Sequence, residues 1–168
     1  RDMEITARAF MRTLDRPGLE HVRAGIVLQA YVPDSFRMQQ RLSAWARKRL
    51  AAGGAPITLR IVKGANMEME RVEASLFNWP QAPYKSKLET DANFKRMVLE
   101  GMKPENLKAV RLGIASHNLF EMAFALVCAL EQDALGLVQF EMLEGMANQQ
   151  RRALFEMCDN LLLYAPAC

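Results

Sequence analysis

The chain has 168 residues, 51% of them hydrophobic and 24% charged, with a net charge of +3. That is enough for one globular domain with a sizeable core. So small a charge, with no block of like charges, gives a nucleic-acid partner no support. The longest apolar run, Met122 to Leu130, is far shorter than the roughly 20 residues a membrane span needs. The opening Arg-Asp-Met-Glu does not read as a signal peptide.

In chain order, MEITARAFMRTL opens with helical spacing. GIVLQAYV (residues 25–32) is a short β-branched apolar run and reads as a strand. DSFRMQQRLSAWARKRLAAGG follows as a helix, with a cap signal at Asp34/Ser35 and a Gly-Gly stop. ITLRIVKG (57–64) is the second strand, and NMEMERVEASLFN the next helix. The stretch NWPQAPYKSKLE (78–89) is a long loop with two prolines, Trp79 and Tyr84. Such an excursion either covers a site or is a surface insertion.

TDANFKRMVLEGM then reads as a helix capped at Thr90-Asp91. AVRLGIAS (109–116) is the third strand, followed by a helix from Asn118, NLFEMAFALVCALEQ. LGLVQFEML (135–143), the helix EGMANQQRRALFEM and NLLLYAP (160–166) complete the chain. The order is α, then βα four times, then β, with strands apolar enough to be buried on both faces. Two architectures give this order, an open doubly wound sheet or part of a (βα)8 barrel. No run shows G-x-G-x-x-G, which favours the barrel piece: α/β, about five parallel strands with intervening helices.

Three cysteines, Cys128, Cys158 and Cys168, show no paired spacing, and only two histidines, His21 and His117, are present. No disulfide or metal site is expected, and Cys128 reads as a buried thiol in an apolar helix. Polar residues instead gather near the C-terminal ends of the strand runs: Gln29, Arg60 with Lys63, Ser116-His117-Asn118, Glu141 with Glu144, and Tyr164. Parallel α/β folds bind ligands there. Each residue alone also fits a structural role. Gln29 fits a core amide, Glu141 and Glu144 a helix start, His117 a helix entry, and Tyr164 a core ring with its hydroxyl at the rim.

Arg60 and Lys63 are harder to place. Three apart on a strand, they point to opposite faces, and a buried cation needs an anionic or polar partner. Lys63-Gly64-Ala65-Asn66 also leads into a helix, whose N-terminal N–H groups suit an anion.

Taken together, GIVLQAYVPDS, RIVKGANMEMERVEAS, WPQAPYKSKLETDANFKRM, ASHNLFEMAFAL, EMLEGMANQQRRAL and LLLYAPAC resemble the flavin-dependent proline dehydrogenases. The likeness is greatest to the proline dehydrogenase domain of bifunctional proline utilization A proteins, and it runs along essentially the whole chain. The resemblance implies a distorted (βα)8 barrel with FAD at the strand C-terminal ends. It implies oxidation of L-proline to Δ1-pyrroline-5-carboxylate in proline catabolism, with hydride transfer to the flavin and electrons passed to a membrane quinone. The parent protein would be cytoplasmic and peripherally membrane-associated, with a fused aldehyde dehydrogenase domain in the bifunctional branch.

Carried over by motif, the resemblance implies that Gln29 meets the flavin edge and that Arg60, the catalytic residue, lies against the isoalloxazine ring. Lys63, Gly64 and Ala65 would cradle the pyrophosphate. Ser116, His117 and Asn118 would touch the FAD, Tyr164 would pack near proline, and the loop from Tyr84 through Lys87 to Thr90 would border the adenosine half. Asn66 and Met67 stand where another branch of the family has Tyr and Trp, which suits the bifunctional branch.

Residues 1–168 would form the C-terminal part of the barrel domain, without its early strands and its final helix. Those absent parts carry the family's substrate Lys, an Asp near the flavin and an Arg-Arg pair for the proline carboxylate. Arg151-Arg152 is not that pair, because it precedes the last strand. The piece alone is therefore expected to be inactive. Two other readings stay open: a non-catalytic flavin-binding or assembly fragment, and a Schiff-base lyase using Lys63 with a lowered pKa.

Overall fold

The computed structural model describes residues 2–158 and 160–165. Helix α1 spans Asp2–Leu14, strand β1 Gly25–Gln29, helix α2 Ser35–Ala51 and strand β2 Ile57–Val62. Three helices follow, α3 (Met67–Leu76), α4 (Lys87–Gly101) and the short α5 (Pro104–Leu107). Strand β3 (Val110–Ala115), helix α6 (Leu119–Glu131), strand β4 (Val138–Leu143), helix α7 (Asn148–Met157) and strand β5 (Leu161–Tyr164) complete the order. All five expected strands form. The second crossover carries three helices, the two read from the sequence and the short α5. Leu135–Leu137 form a 3-10 turn ahead of β4. The expected fifth run reached Pro166, and residues 166–168 lie outside the described ones.

The five strands make one parallel sheet in the order β1-β2-β3-β4-β5. This order decides between the two architectures. A doubly wound sheet reverses direction at a switch point, whereas a barrel adds each strand beside the last. Crossovers of the usual right hand put the helices of successive βα units on one face.

Side-chain alternation shows which face that is. The rows Ile26–Leu59–Leu112–Val138 and Leu28–Ile61–Ile114–Phe140–Leu161 run across the sheet in register. Nearly all of these residues are buried, packed with Met38, Leu42, Phe94, Met97, Met122 and Ala125 from the helices. The opposite, concave face carries the row Val27–Arg60–Gly113–Gln139 and the neighbouring Gln29, Glu141 and Tyr164. Period-2 alternation thus puts most apolar strand residues under the helices, and the polar ones, with Val27, Leu143 and Leu162, on the concave side.

Two helix starts differ in how well they were legible. Asn118 caps α6 as expected, its Oδ1 accepting from the Phe120 N–H at 3.0 Å. Helix α4 begins a turn earlier than the Thr90-Asp91 signal suggests. Its cap is Ser86, whose Oγ accepts from the Glu89 N–H, while the Glu89 carboxylate accepts from the Ser86 N–H. This reciprocal box satisfies two end donors at once and outcompetes a single side-chain cap. Thr90 is buried inside the first turn instead.

Candidate active site at the strand ends

Arg60 projects from β2 onto the concave face. Its Nε–H donates to Oε2 of Glu141, two strands away on β4. The Arg60 side chain keeps 23% of its surface exposed, whereas that of Glu141 keeps 1%. Glu141 is therefore not the solvated helix-start residue that the sequence allowed; it is a strand residue turned inward. Gly113 of β3 lies between them, and a Cβ there would stand 2.4 Å from Glu141 Oε1. The missing side chain opens the path between carboxylate and guanidinium. Burial pushes the Glu141 carboxyl above the ordinary range, and the Arg60 cation offsets only part of that.

Tyr164, at the end of β5, covers Arg60 from another side, with the guanidinium carbon 3.9 Å from the ring centroid. That is close enough for a cation–π contact. Two of the residues singled out in the sequence, 104 apart in the chain by their numbers, thus meet directly. Gln29 lies half-buried at the end of β1, on the same face.

Lys63, one residue beyond β2, points the other way, as the three-residue spacing requires. Its Nζ donates to Asp91 Oδ1 on α4 and to Glu121 Oε1 on α6, each at 2.5 Å. Asp91 is shared with Lys87 at 2.6 Å, and Ser116 Oγ–H donates to Glu121 Oε2 at 2.7 Å. Burial alone would lower the Lys63 pKa, but hydrogen bonds to the two carboxylates outweigh it and hold the ammonium above the ordinary lysine value. The expectation of a lowered pKa, on which the lyase reading depends, is corrected: its neighbours are two anions, and Arg60 faces the other side. A Schiff-base amine must be neutral to attack, and this one is kept charged.

Gly64 has φ +118°, and a Cβ built on it would fall 1.7 Å from the Tyr31 ring. The glycine is therefore required by packing at the end of β1, whatever else lies nearby. Burial, then a hydrogen bond to Glu70, pushes the Tyr31 hydroxyl pKa upward. Ala65 and Asn66 are exposed ahead of α3, whose first-turn N–H groups have no intrahelical partners by the geometry of any helix. Ser116 and His117 are half-buried after β3, and Asn118 is exposed. The Asn118 N–H donates to Ser116 Oγ at 3.1 Å, and His117 Nδ1 is buried without a hydrogen-bond partner among the described residues.

The long loop docks against these strand ends. The Tyr84 N–H donates to the Tyr31 carbonyl at 2.8 Å. Trp79 and Pro80 line a cleft of about 770 Å³ with Val27, Gln29, Asn66 and Glu70. Of the two roles open to it, covering a site fits this position.

The residues therefore form two groups at one end of the sheet. Gln29, Arg60, Glu141 and Tyr164 lie on the concave face, and Lys63, Asp91, Glu121 and Ser116 lie at its helix-side rim. Glu141 was legible as a strand-end polar residue but not as the partner of Arg60, and Asp91 and Glu121 were not among the expected site residues. Gly113 was the available signal for the first, since a lone glycine inside a strand marks a close approach. The other two gave no signal, because a carboxylate at or near a helix start has an ordinary role there.

A flavin dinucleotide makes two demands on such a site: polar groups along a flat ring, and N–H donors or cations for its pyrophosphate. The concave face meets the first with Gln29 and the outer guanidinium nitrogens of Arg60, and the segment after β3 adds the orphaned His117 Nδ1. The exposed start of α3 meets the second with backbone donors. Lys63 meets it only in part, because its charge is already shared with Asp91 and Glu121.

Sequential parallel strands with helices on one face and a polar concave face at the strand ends define an α/β barrel segment of the TIM type. A family model described as proline dehydrogenase matches residues 1–168. The chain belongs to the proline dehydrogenase family. It is similar to proline utilization A from Corynebacterium freiburgense, with 46% identity over 97% of this chain and a TM-score of 0.92. It is similar also to proline utilization A from Bdellovibrio bacteriovorus, inactivated by N-propargylglycine, with 33% identity over 97% of the chain and a TM-score of 0.88. The Bradyrhizobium japonicum protein, at 22% identity and a TM-score of 0.76, shares the fold. The chain spans 17% of the length of the first two structures. It matches none of the curated proteins compared. No helix among the described residues is long and apolar enough to cross a membrane.

Proposed function

We propose that this chain is part of a flavin-dependent proline dehydrogenase of the proline utilization A type. The whole protein would oxidise L-proline to Δ1-pyrroline-5-carboxylate and pass the electrons to a membrane quinone. It would do so from the cytoplasm, in peripheral contact with the membrane. An aldehyde dehydrogenase domain would lie elsewhere in the same polypeptide. The barrel's early strands and final helix, which complete the proline side, would lie outside these 168 residues.

One observation supports the reading above the others: Arg60 is held by Glu141 and Tyr164 on the face that also carries Gln29, in a chain of this family. Bound FAD would supply a two-electron acceptor, and the chain would supply position and field. Gln29 would hydrogen-bond the polar edge of the ring. Arg60 would offer its outer N–H groups and a fixed positive charge where negative charge develops, in a site partly shielded from water. Tyr164 would present an aromatic face toward the substrate. Ala65 with the start of α3 would bind the pyrophosphate, assisted by Gly64 and by Lys63 in competition with its own carboxylates. Ser116, His117 and Asn118 would contact the cofactor from the end of β3.

The test is direct. The purified full-length protein should be yellow and should bleach when L-proline is added without oxygen. A colourless protein that ignores proline overturns the reading.

A further inference from the structure

We propose that Glu141 is a positioning residue that sets both the orientation and the effective charge of Arg60; this rests on the flavin reading above. Three observations carry it. The Glu141 carboxylate is almost wholly buried, and its Oε2 receives the Arg60 Nε–H. The strand between them has a glycine at the one position where any side chain would stand in the way, 2.4 Å from Glu141 Oε1 and 3.5 Å from the Arg60 Cα. The guanidinium is also stacked on Tyr164 at 3.9 Å.

Together these contacts define the guanidinium plane. Glu141 occupies Nε, Tyr164 covers one face, and among the described residues the Nη1 and Nη2 hydrogens remain for a ligand. A fork geometry of this kind is worth its energy only if its plane is fixed. The same contact has an electrostatic effect. A carboxylate against the guanidinium cancels much of the field that a ligand on the other side would feel. In a site of low dielectric constant that cancellation is large. Burying an anion here has a cost, visible in the raised Glu141 pKa. A merely structural partner for Arg60 could have been a neutral amide.

The experiment is a measurement of the two-electron midpoint potential of the bound flavin in the full-length protein. Glu141→Gln keeps the shape and removes the charge. The unscreened Arg60 should then favour the anionic reduced cofactor about tenfold over the oxidised one, raising the potential by about 30 mV. Gly113→Ala should push the carboxylate off Nε and raise the potential in the same direction. Glu141→Asp, which keeps the charge, should stay nearer the parent value. Circular dichroism identifies any variant that fails to fold, and the remaining ones decide.

A yellow parent protein whose potential is unmoved in folded Glu141→Gln and Gly113→Ala overturns this proposal and leaves the functional reading standing. A parent protein that binds no flavin overturns the functional reading and this proposal with it.

Discussion

Tyr31 and Gly64 occupy one space at the ends of β1 and β2: a single added carbon at residue 64 would lie 1.7 Å from Tyr31 Cδ1 and 1.8 Å from Cε1. The Tyr31 N–H also donates to the Lys63 carbonyl at 2.9 Å, so the backbone on both sides is fixed. Gly64→Ala must therefore move an aromatic ring that is hydrogen-bonded to Glu70, and it must do so at a φ that L residues rarely adopt. Overpacking and backbone strain together should cost about 2–4 kcal/mol. Urea denaturation checks this. A loss well under 1 kcal/mol would mean that the ring is free to swing away. Because the clash is internal, the loss should persist in protein stripped of flavin.

The Lys63 cluster predicts a different asymmetry. Lys63→Met leaves the buried Glu121 carboxylate facing Ser116 alone and should cost about 2–3 kcal/mol. Adding Glu121→Gln to that variant should recover part of the loss, because the orphaned charge is removed. A double variant whose loss equals or exceeds the sum of the two single losses would show that the carboxylate is stabilised by something other than Lys63.

The same cluster sets a pH response. Burial works against the charged Asp91, but hydrogen bonds from Lys63 and Lys87 prevail and hold its pKa below the ordinary 3.8. Its contribution to stability is present above that ordinary value and is lost as pH falls through the depressed one. Lys63 contributes below its ordinary 10.5 and loses that contribution as pH rises through its raised value. Between the two the contribution is flat. The stability gap between the parent chain and Asp91→Asn should therefore close on acidification, as read from urea midpoints across pH. A gap that stays constant into strong acid would refute the pairing.

Helix α4 supplies a test of which residue starts it. Ser86→Ala should lose about 1 kcal/mol through the broken capping box. Asp91→Ala should not act as a cap loss, since Asp91 lies a turn inside the helix and holds Lys63 and Lys87. Amide exchange of residues 87–90 tells the two apart, because only the Ser86 variant should fray them.

How far the sequence could be read follows from these particulars. The five strands were legible because each is a run of β-branched and aliphatic residues with turn-forming neighbours, and parallel burial leaves no other use for such runs. Choosing the barrel over the doubly wound sheet required the absence of a glycine fingerprint, and the strand order bears out that choice. The start of α4 was misread because Ser86-Lys87-Leu88-Glu89 is polar and carries no apolar period, although its S-x-x-E spacing is a capping signal. The need of Arg60 and Lys63 for anionic partners was foreseeable from the cost of a bare buried charge. The partners were not, since Glu141 is 81 residues from Arg60 and Glu121 is 58 from Lys63 by their numbers. Pairing at that separation is set by strand register, which local pattern does not contain.

The strand order has a consequence for the birth of the chain. Because β1 through β5 line up in the order in which they are synthesised, each new strand emerging from the ribosome finds its partner already made. No gap is held open for a strand still to be translated, and no strand has to be threaded between two others. Growth by addition at one edge leaves only the two outermost strands unpaired on a side at any moment, however many of the five have been made.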